Sequence, residues 1–322
     1  MFGTTTASGA TFKGREIFQA DHEEFRRCFG SSAFALRHAL ADDHLFSLPR
    51  LAKAAERCAD RFFSAGGMTR TDGTFSEMRR KQLVGAAITE LDGLSSWAKI
   101  SSIADADREY LDIQNSLLLE IQRLSGRPIL RDMTWAGMTV FLASPNIVTP
   151  YHIDNELNFL CQIAGEKDVC LFDPHDRELL PDEEIERFYF GDQTGLRYPE
   201  HLQVRGRVYR LSPGVAVHHP PLAAHWVKNG PQVSVSVSIA FSTRQIDKRG
   251  RIYQVNYCLR RMGLKPRPPG RSSGVDSVKA RLMGLLCKRN PKTHLEVVFS
   301  APERLKAPLR AAKRLLFTNS GT

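Results

Sequence analysis

Cysteine is scarce and scattered in this sequence. The six thiols (Cys28, Cys58, Cys161, Cys170, Cys258 and Cys287) form no C-x-x-C pair and no dense framework. That excludes a zinc finger and a disulfide scaffold, and leaves reduced, mostly buried thiols of a cytoplasmic protein as the expectation. Proline (17) and glycine (23) are ordinary for 322 residues, which removes collagenous and low-complexity classes. No internal repeat is visible. Met1 to Lys13 is rich in Thr, Gly and Ala and lacks a long apolar core, so no secretory signal is expected there. One uncharged run, Met133 to Ile153, is long enough to cross a bilayer. It contains Pro145, Asn146, Pro150 and His152, so strands around a turn are expected there and no membrane span. What remains is an ordinary globular composition, long enough for one large core with appendages.

Charge is the uneven feature. The net charge is +10, yet residues 246–322 hold 18 Lys/Arg against four Asp/Glu, and the first 245 residues carry a slight acidic excess. A basic C-terminal appendage points to an acidic partner, which could be nucleic acid, an acidic protein surface or a phosphorylated substrate. Composition alone weighs slightly toward the plainer reading, a solvated helical face.

Hydrophobic spacing divides the chain into a helical N-terminal region (1–125), a strand-rich core (126–245) and the basic, helical appendage (246–322). Glu23 to His44, Leu48 to Phe63 and Asp105 to Leu124 have helix-like spacing, the last with Tyr110, Ile113, Leu117, Leu118, Ile121 and Leu124 on one stripe. Strands are expected at Thr139–Ala143, His152–Ile163, Lys167–Phe172, Val204–Leu211, Ala224–Lys228 and Val233–Phe241. Asn229-Gly230 between the last two predicts a hairpin, with Pro231 hinting at a bulge. A Pro/Gly-rich break, Lys265 to Gly274, precedes an amphipathic helix at Pro302 to Phe317, suited to docking on the body or to pairing in a homodimer, and less so to touching an anionic surface.

Chemistry concentrates at His152-Ile153-Asp154. On a strand, residues i and i+2 share a face, so an imidazole and a carboxylate can bind one cation together. Iron(II) oxygenases use two histidines and one carboxylate on one face of the metal and keep the other positions open. H-x-D alone is weak evidence and needs a second histidine. Of His218, His219 and His225, the first two precede Pro220-Pro221 in an expected loop. Counting across the expected hairpin sets His225 opposite Ser234 on the polar inner face, so His225 is the expected ligand and His219 the fallback.

Two longer stretches, TPYHIDNELNFLCQIAGEKDVCLFDP (149–174) and PGVAVHHPPLAAHWVKNG (213–230), resemble the JmjC/cupin-type 2-oxoglutarate dioxygenases. Within that family the likeness is greatest to asparaginyl hydroxylases that restrain hypoxia-inducible factor. It covers roughly 130–245. The resemblance implies a double-stranded β-helix (jelly-roll, cupin) core; together with the helical N-terminal region and the basic helical C-terminal appendage read from spacing and charge, the expected fold class is α+β. It also implies Fe(II) held by His152, Asp154 and His225, and 2-oxoglutarate held by Lys167 and Thr149 at its distal carboxylate. Asn158 and Ser238 are implied neighbours of the cosubstrate; Ser238 stands where the family often has asparagine. Gln162 could face substrate or sit satisfied in the core. Trp226 reads as packing. Leu222-Ala223-Ala224 replaces the bulky aromatics common in the family, which fits a different substrate.

The activity implied is hydroxylation of a C–H bond in a protein, peptide or small molecule. Two alternatives stand beside it. One is a cupin hydrolase or isomerase with another metal, which needs no keto-acid anchor such as Lys167. The other is a regulatory or nucleic-acid-binding protein without turnover, supported by the basic tail.

Overall fold

The computed structural model describes residues 16–66, 96–191, 196, 198 and 200–318. Contacts divide the chain into two compact units. The first holds residues up to Arg131, Ala136–Pro174 and Arg197–Phe241, and the second holds Asp132–Trp135, His175–Leu196 and everything from Ser242 onward.

The first unit opens with strand β1 (Phe18–Gln19), helix α1 (His22–Cys28) and strand β2 (Phe34–His38). The long helix expected over Glu23 to His44 is therefore corrected to one short helix and a strand. Asp21 caps α1 by accepting the Glu24 N–H at 2.7 Å, but Gly30, with φ +76°, ends it. Beyond the glycine, Phe34, Leu36 and His38 are buried while Ala35 and Arg37 are exposed, a period of two that belongs to a strand. Helix α2 (Leu48–Arg57) likewise stops early, and Phe62–Gly66 forms strand β3 instead of continuing it.

Strand β4 (Ser96–Ile100) leads to α3 (Arg108–Ser125), capped by Asp107 and closed by Gly126 at φ +66°. Its predicted stripe from Tyr110 to Leu124 is buried throughout. A short helical turn, α4 (Ile129–Asp132), precedes β5 (Met133–Ala143), β6 (Val148–His152), β7 (Leu157–Ala164) and β8 (Lys167–Leu171). After a 3-10 turn at Glu200–Arg205 come β9 (Arg207–Leu211), β10 (Val215–His219), β11 (His225–Asn229) and β12 (Ser234–Thr243). The uncharged run from Met133 forms β5 and β6, and among the described residues no helix is long and apolar enough to cross a membrane.

These strands make an eight-stranded sheet ordered β1-β2-β10-β7-β12-β5-β4-β3 and a four-stranded sheet ordered β6-β11-β8-β9. From β5 to β12 the chain passes back and forth between them, and all registered pairs are antiparallel. Leu160 and Val217 of the larger sheet pack with Val169, Leu171 and Val227 of the smaller one. This is the expected double-stranded β-helix.

The Asn229-Gly230 hairpin is not formed. β11 pairs with β6 and β8, whereas β12 pairs with β7, so the turn carries the chain between sheets. The reason lies in β12 itself: Ser234 to Ser242 is buried on both faces, which suits the middle of a large sheet and not an amphipathic hairpin arm.

In the second unit, α5 (Asp182–Tyr189), α6 (Arg244–Arg261), α7 (Ser273–Leu286) and α8 (His294–Thr318) pack together. Glu186, 1% exposed, accepts two bonds from Arg260 at 2.7 and 3.0 Å. Gln254 bridges the Tyr189 and Val298 carbonyls. The basic tail thus packs on an internal segment of the chain that includes α5.

Candidate metal centre

His152 is the last residue of β6 and Asp154 lies in the turn before β7, so the motif does not sit on one strand as expected. What joins the three groups is register: His225, the first residue of β11, is opposite His152, with a bulge between His225 and Val227. Leu222, at φ +69°, donates its N–H to the Asp154 carbonyl at 2.7 Å. A left-handed leucine is disfavoured by the clash of its Cβ with the backbone, so the Pro220-Pro221 turn holds a strained residue where it ties the second histidine's approach to Asp154.

Both histidines are oriented by backbone carbonyls. His152 Nδ1–H donates to Pro150 at 2.7 Å, and His225 Nδ1–H donates to Ala223 at 2.9 Å. Each Nε2 is thereby left with its lone pair toward the carboxylate. Asp154 Oδ2 lies 4.0 Å from His152 Nε2 and 3.7 Å from His225 Nε2. One donor atom from each residue lies within 4.8 Å of the others, the spacing for a shared cation. Burial lowers the His225 pKa to about 4, helped by His152 and opposed by Asp154. A neutral imidazole is the form that ligates a metal. Two nitrogens and one oxygen suit a first-row divalent ion with positions left open. Asp154 is the most exposed of the three and marks the open side.

Paired residues on neighbouring strands point to the same face. Val227 is opposite Thr149 and Val169, and Asn229 is opposite Lys167, so Thr149 and Lys167 share the inner face of the smaller sheet with His225. On the larger sheet, Asn158 is opposite His219 and Leu160 is opposite Val217 and Ser238. With Leu160 and Val217 in the inter-sheet core, Asn158, His219 and Ser238 face inward too. Ser238 donates to Asn158 Oδ1 at 2.7 Å. His152, Asp154 and His225 thus cluster, while Thr149 and Lys167 on the smaller sheet and Asn158 and Ser238 on the larger one lie on the two faces that pack together.

Lys167 is 5% exposed, and among the described residues no carboxylate pairs with it. Burial alone lowers its pKa to about 7. An unpaired buried ammonium is costly, and an anion brought into the chamber would relieve it.

Three features escaped the sequence reading. Glu156, in the turn after Asp154, has its carboxyl raised to about 8 by burial and by the Asp154 charge. Lys99 on β4 feels the charges of both carboxylates and lies near the Phe63 and Trp97 rings. His218 and His219 belong to β10 and not to a loop. His218 points outward among Phe29, Phe34 and Phe159, with Nδ1–H on the Asn158 carbonyl and Nε2 accepting from Gly30. Gln162 is committed to the core: it donates to Ala164 O, Gly165 O and Ser234 Oγ and accepts from Ser236. Trp226 points away from His225 and donates to Gln203.

A family profile described as a cupin-like domain matches residues 51–246. No curated protein matches in sequence. Among solved structures, an X-ray structure of Escherichia coli YcfD superimposes with a TM-score of 0.50 at 15% identity, over 86% of this chain and 70% of that one. A structure of YcfD as a ribosomal oxygenase gives 0.48 at 15%, over 86% and 69%. A third, in complex with cobalt and 2-oxoglutarate, gives 0.47 at 14%, over 84% and 67%. At such identities the likeness is one of fold.

Proposed function

The chain belongs to the cupin-like domain family, and from that premise we propose that it is an Fe(II)- and 2-oxoglutarate-dependent oxygenase that hydroxylates a C–H bond of a protein, peptide or small molecule. The observation that carries this reading is Lys167. A metal-only cupin has no use for a buried, uncompensated ammonium on the inner face beside its metal site, whereas a dicarboxylate cosubstrate needs one.

His152, Asp154 and His225 would hold the iron, their orientation fixed by the Pro150 and Ala223 carbonyls and by the Leu222 amide. Lys167 and the Thr149 hydroxyl would bind the distal carboxylate of the keto acid. Asn158, steadied by Ser238, would offer its amide to the same ligand. Bound iron and keto acid supply oxygen activation coupled to oxidative decarboxylation; the protein supplies geometry and a chamber shielded from water. The half-exposed side of Asp154, with Glu156 and Lys99 near it, is where substrate would approach.

The test is direct. Protein loaded with Fe(II) and given 2-oxoglutarate and air should form succinate, and untargeted mass spectrometry of cell extract should show +16 Da products that depend on the keto acid. His152→Ala and Asp154→Ala should abolish both while the fold persists. Wild-type protein that neither binds 2-oxoglutarate nor makes succinate would sink the proposal.

A further inference from the structure

His219 is 3% exposed, and among the described residues neither of its ring nitrogens has a hydrogen-bond partner. Its neighbour His218 shows how this strand treats an imidazole it uses for packing, with both nitrogens matched. His219 lies on the opposite face of β10, registered with Asn158 on the inner face of the larger sheet. Its ring stands 4.8 Å from the His225 ring, at 76°. It is not one of the three groups whose donor atoms cluster for a metal. An imidazole taken out of water with both polar atoms unmet is a loss that any aliphatic residue at this position would avoid. An imidazole carries at least one N–H donor in either protonation state.

We propose that His219 is a ligand-binding residue of the metal centre, its ring N–H donating to an acceptor atom of the group bound at the metal beside His225. In the proposed reaction that acceptor is a chelating oxygen of the keto acid, so this part rests on the function proposed above. The wider statement does not, because any small anion on the metal offers an acceptor to the same donor. The Ser238–Asn158 bond occupies Asn158 Oδ1 and leaves its amide N–H free, so His219 adds a second donor beside that amide.

The experiment uses the full chain loaded with Co(II), with azide and 2-oxoglutarate as separate probes. Two variants are compared with wild type: His219→Phe, which keeps a ring and removes both nitrogens, and His219→Gln, which keeps an N–H donor. His219→Phe should leave the Co(II) dissociation constant within about threefold, leave the apo protein at least as heat-stable, and weaken azide and 2-oxoglutarate by roughly tenfold or more, the loss of one charge-assisted bond. The azide-dependent change in the visible Co(II) spectrum should shift with the same variant, and His219→Gln should recover most of the affinity. Equal azide affinity in wild type and His219→Phe would overturn the inference. So would a loss of Co(II) affinity of roughly a hundredfold or more, which would make His219 a metal ligand. If wild type binds azide but not 2-oxoglutarate, the oxygenase reading fails while the azide comparison still decides the role of His219.

Discussion

Lys167→Met should stabilise the empty protein and disable it toward its cosubstrate. Methionine matches the length of the lysine stem and carries no charge into the chamber. In the folded protein the ammonium has a pKa of about 7 against an ordinary 10.5, with burial as the cause. The unfolded chain therefore holds more protons between those limits, and stability rises with pH across that window; the cost is fully present below about 7. At pH 7 it is roughly 4 kcal/mol as an upper bound, because the chain can also shed the proton. Removing the amine removes that cost, so urea unfolding of the apo variant should show a higher midpoint at pH 7 and a gain that shrinks toward pH 10.

With ligand the sign reverses. A keto-acid carboxylate placed opposite methionine is buried with only the Thr149 hydroxyl to meet its charge, which costs about 3 kcal/mol or more and weakens binding by roughly a hundredfold or more. Calorimetric titration of 2-oxoglutarate into Co(II)-loaded protein reads this directly. A variant destabilised when empty, or one that binds the keto acid as wild type does, would refute the reasoning. Either result would mean that Lys167 is a packing residue or already has a partner.

The same lysine makes cosubstrate affinity pH-dependent: binding needs the ammonium, so affinity should fall by about tenfold per pH unit above 7, and titrations in buffers of different ionisation enthalpy should show net proton uptake. His225→Ala should abolish the rise in melting temperature that Co(II) gives to wild type, since one of three donors is lost. Gly165→Ala should be strongly destabilising, because φ is +66° and a Cβ would collide with the Val233 carbonyl; circular dichroism melting checks it, and an unchanged melt would contradict it. Arg260→Ala leaves the Glu186 carboxylate buried without its two strongest bonds and should cost about 3 kcal/mol or more in urea unfolding.

Much of the site was legible because its chemistry is written locally. H-x-D and the following lysine are close in the chain, and their spacing carried the assignment. The route to His225 was nevertheless wrong. Asn229-Gly230 carries a hairpin signal, but pairing partners are chosen by burial of whole strands, and Ser234 to Ser242 is buried on both faces. His225 meets His152 across β6 and β11, a contact between distant segments that no local count of parity predicts. The break after Gly30 was readable in hindsight from the alternation at Phe34 to His38; helix spacing and strand spacing overlap in so short a stretch. The Leu222 amide could not be read from sequence, since it acts through a backbone angle that leucine rarely adopts.

Two independent costs in the chamber point the same way. Lys167 and His219 stand on different sheets, one a cation without an anion and the other an imidazole without partners, and each would be relieved by acceptor atoms entering from solvent. A chamber shaped only for stability would not keep both, because apolar side chains at either position would remove a loss without opening a cavity. A metal ion alone answers neither need: it would sit with His152, Asp154 and His225 and add positive charge to a space that already holds Lys167. A metal together with an anion that reaches from it toward Lys167 answers both. Under the function proposed above, a keto diacid meets that requirement, with an acceptor at the metal end and a carboxylate at the other, whereas water, a halide or a neutral sugar does not.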